Sequence, residues 1–399
     1  MLFKDVIGQD EVKAHLKEMV QQNRLSHALL FLGKEGSGAL PLALAFANYI
    51  CLSTGGNSAP TLLPIEPVYQ EPDELMESHP SWSKVKGMVH PDIHFSYPVI
   101  TKKAGQTPIS TDFITEWREF IAKKPYGNAF DWLQFIKAEN KQGNITANEC
   151  TDIIRKLNLK SFESEYKILV LWMPEYLGNE GNKLLKLIEE PPANTLFILV
   201  SENESLILPT ILSRTQLVKI PALTNAEISD ALVQIDGLPA SHAGKIAAVC
   251  EGNYRDAQHM IEQGDDDTDT LLRDWMNAIM KNGPVAQVKW VDEISKRGRE
   301  QQKQFLRYFN HLLEQAIRLR TMADYYNAPE NEHLMPAADR EFSSRLNRRT
   351  GIAEQQAIIE EIDRATYHIE RNGNTKILFL ALTIKLYHII ADKSLILVA

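Results

Sequence analysis

The sequence predicts an α/β domain, a parallel sheet with helices on both faces, followed by helices alone. Near-continuous apolar runs of strand length, at 28–32, 167–173 and 195–200, alternate with segments of helical periodicity, as in strands buried on both faces. A glycine-rich turn, Gly33-Lys34-Glu35-Gly36-Ser37-Gly38, joins the first run to an apolar helix. From Pro221 onward the strand patterns stop.

In chain order, Val12, Leu16, Met19 and Val20 recur at helical spacing after the turn-like Gly8-Gln9-Asp10, which predicts a helix over 10–20. The glycine-rich turn has phosphate-loop spacing, a Gly, four residues and a second Gly, with Gly33 and Gly38 in place. Such a loop then needs a Lys ammonium and a Mg²⁺-binding hydroxyl, and here Ala39 and Leu40 follow. Taken alone, this is equally an ordinary Gly-rich turn. Pro41 sits in the first turn of a helix expected to end near Cys51, where its missing N–H costs least. The N–H groups of that turn attract an anion only weakly without an ammonium or hydroxyl beside them.

Residues 52 to about 145 change character. Pro60, Pro64, Pro67, Pro72, Pro80, Pro91, Pro98, Pro108 and Pro125 break any long helix, while Trp82, Trp117 and Trp132 indicate packed parts. The stretch reads as an elaborated insertion with one helix over 111–122. Cys51, His79, His90 and His94 invite a metal reading, but Pro91 spoils the i,i+4 pair of His90 and His94 and no second cysteine is close. No metal site is expected.

Helical periodicity returns at Thr146, with Ile153, Ile154, Leu157 and Leu159 on one face and Thr146 or Asn148 as cap. The strand 167–173 ends in Pro174-Glu175. In a nucleotide motor, carboxylates at this strand end hold Mg²⁺. Only Glu175 and, further off, Glu180 are available, and Glu175 reads as a solvated residue in a strand-to-helix turn. A helix over 178–190 is stopped by Pro191-Pro192, the strand 195–200 follows, then a short helix over 206–212, Ser213-Arg214-Thr215 as its exit, and a strand over 216–220. The first domain is thus 1–220.

Three short helices over 226–233, 241–250 and 254–263 make a small helical unit at 221–264. The acidic run Gly264-Asp265-Asp266-Asp267-Thr268-Asp269 reads as a solvated linker that also caps the next helix. A third domain, 265–399, is helical, with candidates at 271–280, 285–295, 300–326, 354–370 and 375–391. The last is apolar nearly all round, as expected of a helix covered on several sides by a bundle or by other subunits.

A length of 399 residues predicts two or three domains, and 44% hydrophobic with 24% charged residues is a soluble, globular composition. The net charge of −9 argues against a chain that grips nucleic acid over its whole surface, and leaves room for a local basic patch. Cys51, Cys150 and Cys250 lie far apart, which indicates neither a disulfide framework nor a zinc module and suits the cytoplasm. No signal peptide is expected from Met-Leu-Phe-Lys-Asp, and no apolar run reaches the roughly 18 to 20 residues needed to span a bilayer.

Several segments resemble one family together and in its order. Phe3-Lys4-Asp5-Val6-Ile7-Gly8-Gln9, Arg24-Leu25-Ser26-His27-Ala28-Leu29-Leu30-Phe31 and the altered loop resemble the start of bacterial clamp-loader AAA+ subunits. Asn182-Lys183-Leu184-Leu185-Lys186-Leu187-Ile188-Glu189-Glu190-Pro191-Pro192 is similar to its segment after the second nucleotide motif. Leu208-Pro209-Thr210-Ile211-Leu212-Ser213-Arg214-Thr215 resembles its Ser-Arg-Cys segment, with Thr215 in place of Cys. Gly252-Asn253-Tyr254-Arg255-Asp256-Ala257 resembles the second sensor of the lid, and Arg371-Asn372-Gly373-Asn374 the collar. A chain that keeps the Ser-Arg arginine but lacks the loop Lys looks like the catalytically silent, delta-prime branch of that family. The four zinc cysteines usual in the ATP-hydrolysing subunits are replaced here by the Pro-rich stretch, so zinc is not carried over.

The resemblance implies an AAA+ P-loop-type domain, a helical lid and an all-α collar. It implies that Arg214, beside Ser213, acts in trans as an arginine finger on a neighbour's nucleotide, a task that suits a permanently charged planar fork. Arg255 would then be a relic or a lid-to-domain contact. No cofactor is expected on this chain, with ATP held by neighbouring subunits. The implied partners are the ATPase subunits of the tau/gamma type, delta, and through the complex the sliding clamp and primer-template DNA, without a membrane. Two other readings stay open: an active ATPase that depends on Glu175, and a DNA-binding adaptor outside a ring.

Overall fold

Five parallel strands, β1 (Ala28–Gly33), β2 (Ile93–Ser96), β3 (Lys167–Trp172), β4 (Thr195–Ser201) and β5 (Gln216–Ile220), lie in the order β2-β3-β4-β1-β5. The computed structural model describes residues 1–53, 71–102, 107–138, 141–263, 266–326, 335, 337–371 and 373–391. The chain divides into two units, Met1–Gln258 and His259–Ala399. The residues read as a small helical unit at 221–264 fall mostly within the first unit, up to Gln258.

The alternation of side chains along the strands explains why their sequences are apolar throughout. Leu29, Phe31, Ile168, Val170, Trp172, Leu196, Ile198 and Val200 enter one core. The residues between them, including Leu30, Leu169, Leu171, Phe197 and Leu199, enter the other. The buried helix Ala39–Ser53 covers the first face, and the helices Ala147–Leu157 and Asn182–Glu189 supply the second. Of the two caps expected for Ala147–Leu157, Thr146 or Asn148, Thr146 is the one used, accepting from the Glu149 N–H at 3.2 Å. The helix expected over 178–190 is shorter: Gly178, inside the 3-10 turns Pro174–Gly181, takes φ +50° and ψ −142°, and the α-helix proper is Asn182–Glu189.

Residues 52–145 are more than an elaboration. They contribute β2, which pairs parallel to β3 with Ile93 opposite Ile168. Besides the helix Ile114–Lys123, they form the short helices Pro72–Ser78, Trp82–Lys86 and Ala129–Phe135. Pro91 and the polar His94 hide β2 from a hydrophobicity pattern. An aromatic cluster ties the segment to the sheet: Tyr97 stacks on Trp117 at 4.1 Å, and Trp117 meets Trp132 edge-on at 5.3 Å and Trp172 of β3 at 5.2 Å. Pro60, Pro64 and Pro67 lie outside the described residues.

The second unit is helical in its described residues. Asp266–Asn277 begins inside the acidic run read as a linker, so Asp266, Asp267 and Asp269 are helical; Gly264 and Asp265 lie outside the described residues. The expected helix 300–326 stops at Thr321, and the helix Ala337–Asn347 was not foreseen. Trp275 and Trp290 stack at 4.6 Å in its core. The last helix, Thr375–Ala391, buries Phe379, Leu382 and Leu386, while Ile377 and Ile384 are 67% and 46% exposed. Of the collar motif, Arg371 lies over the Tyr367 ring at 3.8 Å and Asn372 is outside the described residues. No described helix is long and apolar enough to cross a membrane.

Candidate functional site

The loop after β1 keeps the shape its glycines allow. Gly36 and Gly38 take φ +70° and +92°, values that an L side chain strains to adopt. Gly36 also leaves the room that the Asn253 side chain fills, and a Cβ on Gly38 would sit 3.1 Å from the Tyr126 ring. Ala39 and Leu40, 8% and 4% exposed, belong to the hydrophobic core. The cavity between Gly33, Gly38, Leu40, Tyr126, Met173 and Glu202 measures about 20 Å³. That is room for about one water, where a nucleotide needs hundreds of Å³.

Arg255 follows from the same arrangement. It is the second residue of the helix Tyr254–Gln263 and is 2% exposed. Its Nε donates to Asp131 Oδ2, its Nη2 to Asp131 Oδ1 at 2.8 Å, and its Nη1 to Glu35 Oε1 at 2.7 Å. Glu35 is the tip of the glycine-rich loop itself. Its second oxygen accepts from Asn128 Nδ2 at 2.9 Å, and Asn253 Nδ2 donates to Oε1 at 3.3 Å. Asp131 is positioned as the third residue of a capping box: its Oδ2 accepts from the Asn128 N–H at 3.2 Å, and Asn128 Oδ1 accepts from the Asp131 N–H at 3.0 Å. With Asp256 Oδ1 also 3.5 Å from Nη1, three carboxylates of this chain surround the arginine, the forked pair to Asp131 being the strongest in kind. Arg255, read as a relic or a lid-to-domain contact, thus joins the glycine-rich loop and the helix Ala129–Phe135.

Glu175 is not the solvated residue expected. Its Oε1 accepts from Ser201 Oγ at 2.6 Å, Glu202 N–H at 2.8 Å and Asn203 N–H at 3.0 Å, tying the ends of β3 and β4 together. Because these ends are adjacent in the parallel sheet, Glu175 serves the turn after β4. The neighbouring Glu202 carboxyl is pushed well above the usual range, first by burial and then by the negative charges of Glu35 and Glu175.

Arg214 lies elsewhere in the unit, after the short helix Pro209–Leu212. Its side chain is 35% exposed and pairs with Glu189, and Nη1 donates to Thr210 O at 2.8 Å and Ser213 Oγ at 3.2 Å. Ser213 Oγ in turn donates to Thr210 O at 3.2 Å. The Leu208-to-Thr215 motif thus folds into a short helix and turn that buries Ile211 and leaves the Arg214 guanidinium partly exposed.

The histidines of 52–145 do not converge. His90 is buried with Cys51 Sγ 3.5 Å from Nδ1, and burial pushes the Cys51 thiol up to about 12, which keeps it protonated. Burial lowers His94 to about 4. His79 accepts from the Ser81 N–H at 3.1 Å. Among the described residues no group of three His, Cys, Asp or Glu is placed to hold a metal ion. Sequence reasoning missed Glu35, Asp131, Tyr126 and Glu202. Glu35 was legible, since a carboxylate at the tip of a phosphate loop repels the phosphate; Asp131 was legible only as the capping-box pattern Asn128-Ala129-Phe130-Asp131.

A five-stranded parallel sheet in this order, a glycine-rich loop after β1 and a helical segment that reaches that loop through Asn253 and Arg255 define an α/β domain with a phosphate-loop-like turn. Residues 8–132 and 128–224, over half the chain, match the family model described as DNA polymerase III, delta subunit, and the chain belongs to that family. It is 26% identical to DNA polymerase III subunit delta' of Bacillus subtilis (strain 168) over 250 residues, 62% of this chain and 58% of that one. It is also 23% identical to DNA polymerase III subunit tau of the same organism over 320 residues, 78% of this chain and 46% of that one. The chain thus spans about half the length of these curated relatives. A solved gamma subunit-related protein of Thermotoga maritima aligns over 94% of this chain and 98% of its own at 14% identity, with a TM-score of 0.37.

Proposed function

We propose that the chain is a non-hydrolysing subunit of a DNA polymerase III clamp loader, which presents Arg214 to the nucleotide of a neighbouring ATPase subunit. The observation that carries the reading is the contrast between its two arginines. Arg255, the one suited to a nucleotide on this chain, is buried against Asp131 and Glu35 beside a water-sized cavity. Arg214 is held at the surface by a half-exposed ion pair of a kind worth ~0–1 kcal/mol, which a phosphate displaces easily. A guanidinium inserted beside a γ-phosphate stabilises the charge spread over its oxygens during transfer. The chain binds no ATP of its own and serves as a rigid member of the ring. Its partners are subunits of the tau/gamma and delta types, and the assembly places the sliding clamp on primed DNA.

The test is ATP hydrolysis by the reconstituted assembly, stimulated by clamp and primed DNA. Arg214→Ala is expected to lower turnover by about 10³-fold, the lower range for an arginine finger. Undiminished turnover overturns the assignment. Arg214→Lys is expected to restore little, because an ammonium lacks the planar fork.

A further inference from the structure

Independently of that reading, we propose that the helical unit His259–Ala399 carries a binding groove for single-stranded nucleic acid. A concave site of about 580 Å³ opens between the helices Asp266–Asn277, Ala337–Asn347 and Thr375–Ala391 and the π-helical turn Ala278–Asn282. Its charged residues are Arg273, Lys281, Arg345, Arg348 and Arg349, and no acidic side chain lines it among the described residues. On a chain with 52 acidic and 43 basic residues, this is a local reversal of charge. Arg348 and Arg349 are exposed. Arg273 and Arg345 are exposed too, each in an i,i+4 pair, with Asp269 at 2.6 Å and Glu341 at 2.5 Å, of the weak surface type that an incoming anion exchanges.

The floor decides the class of anion. Met276, Met280, Phe342 and Leu346 form an apolar surface under the cations. A nucleotide unit matches both layers: phosphates meet the guanidinium forks while the base lies on the thioether and aromatic groups. Arginine faces also stack on bases, and four of the five cations are Arg. A duplex keeps its base faces stacked away, so the match is to a single strand. An acidic peptide fits the charge, but Asn277 is the one uncharged polar side chain among the described lining residues to pair with its backbone.

The experiment follows anisotropy of an end-labelled oligo-dT of about 12 nucleotides, within the usual single-strand site size, on the full-length chain over a salt series. The triple variant Arg345→Glu, Arg348→Glu, Arg349→Glu is expected to bind at least tenfold more weakly. Its log K against log salt slope should be shallower by about 2, at ~0.7 for each lost phosphate contact. Phe342→Ala should weaken binding several-fold with the slope unchanged. If the triple variant does not melt like the parent, Arg348→Gln with Arg349→Gln, both at exposed positions, carries the same test with a slope change of about 1.4. No oligonucleotide binding by the parent at low salt overturns the proposal. So does parental affinity in the variants, displacement of the oligonucleotide by dTTP at equal phosphate concentration, or binding of an acidic apolar peptide in its place.

Discussion

Arg255 forks onto Asp131, Nε to Oδ2 and Nη2 to Oδ1 at 2.8 Å, across 124 residues of sequence. The pair joins the lid to the segment that interrupts the first domain, and both side chains are almost fully buried. It sits beside the glycine-rich loop, whose Glu35 accepts from Arg255 Nη1 at 2.7 Å.

Removing the carboxylate leaves a buried cation with fewer partners. Asp131→Ala is expected to destabilise the first unit by about 3 kcal/mol, the lower range for breaking a buried pair, since Glu35 stays in place. Urea unfolding followed by tryptophan fluorescence measures it, and a loss below 1 kcal/mol counts against a structural lock.

Restoring the missing loop chemistry is not enough to restore binding. Ala39→Lys with Leu40→Thr is expected to leave ATP affinity weaker than millimolar, because the cavity of about 20 Å³ and the Glu35 carboxylate at the loop tip stay. A fluorescent ATP analogue titrated into variant and parent reads this directly. Micromolar binding by either one contradicts the closed loop.

Glu175 separates the silent reading from the active one. Glu175→Ala removes the acceptor of three hydrogen bonds and is expected to cost about 2–3 kcal/mol of stability. Turnover of the reconstituted assembly should stay at the parental level at a temperature where the variant is folded. A turnover loss as large as that of Arg214→Ala points to catalysis on this chain.

His94 and His311 make the fold acid-sensitive. Burial lowers both to about 4, from an ordinary value of 6.5. The unfolded chain therefore takes up protons that the folded chain refuses. The stability they contribute is full above pH 6.5 and is lost as pH falls towards 4, at up to ~1.4 kcal/mol per pH unit for each. Unfolding midpoints between pH 7 and 4 should fall in the parent and fall less steeply in His94→Gln.

Much of this was legible in order along the chain. The runs that became β1, β3 and β4 declared burial on both faces by being almost continuously apolar, and the spacing of Gly33 and Gly38 before Ala39 and Leu40 marked a tight glycine-rich turn followed by buried apolar residues. These are local properties, set by the two-residue period of a strand and by the side chains of a single turn. The tertiary structure alone decided that β2 completes the sheet, that Glu175 ties β4 instead of facing solvent, and that Glu35 and Asp131 hold Arg255. A buried charge is tolerable only where opposite charges and hydrogen bonds converge on it, and the groups that meet at Arg255 come from residues 35, 131 and 255. No periodicity within one segment encodes that convergence, because it exists only once the sheet has brought the loop, the capping box and the lid together.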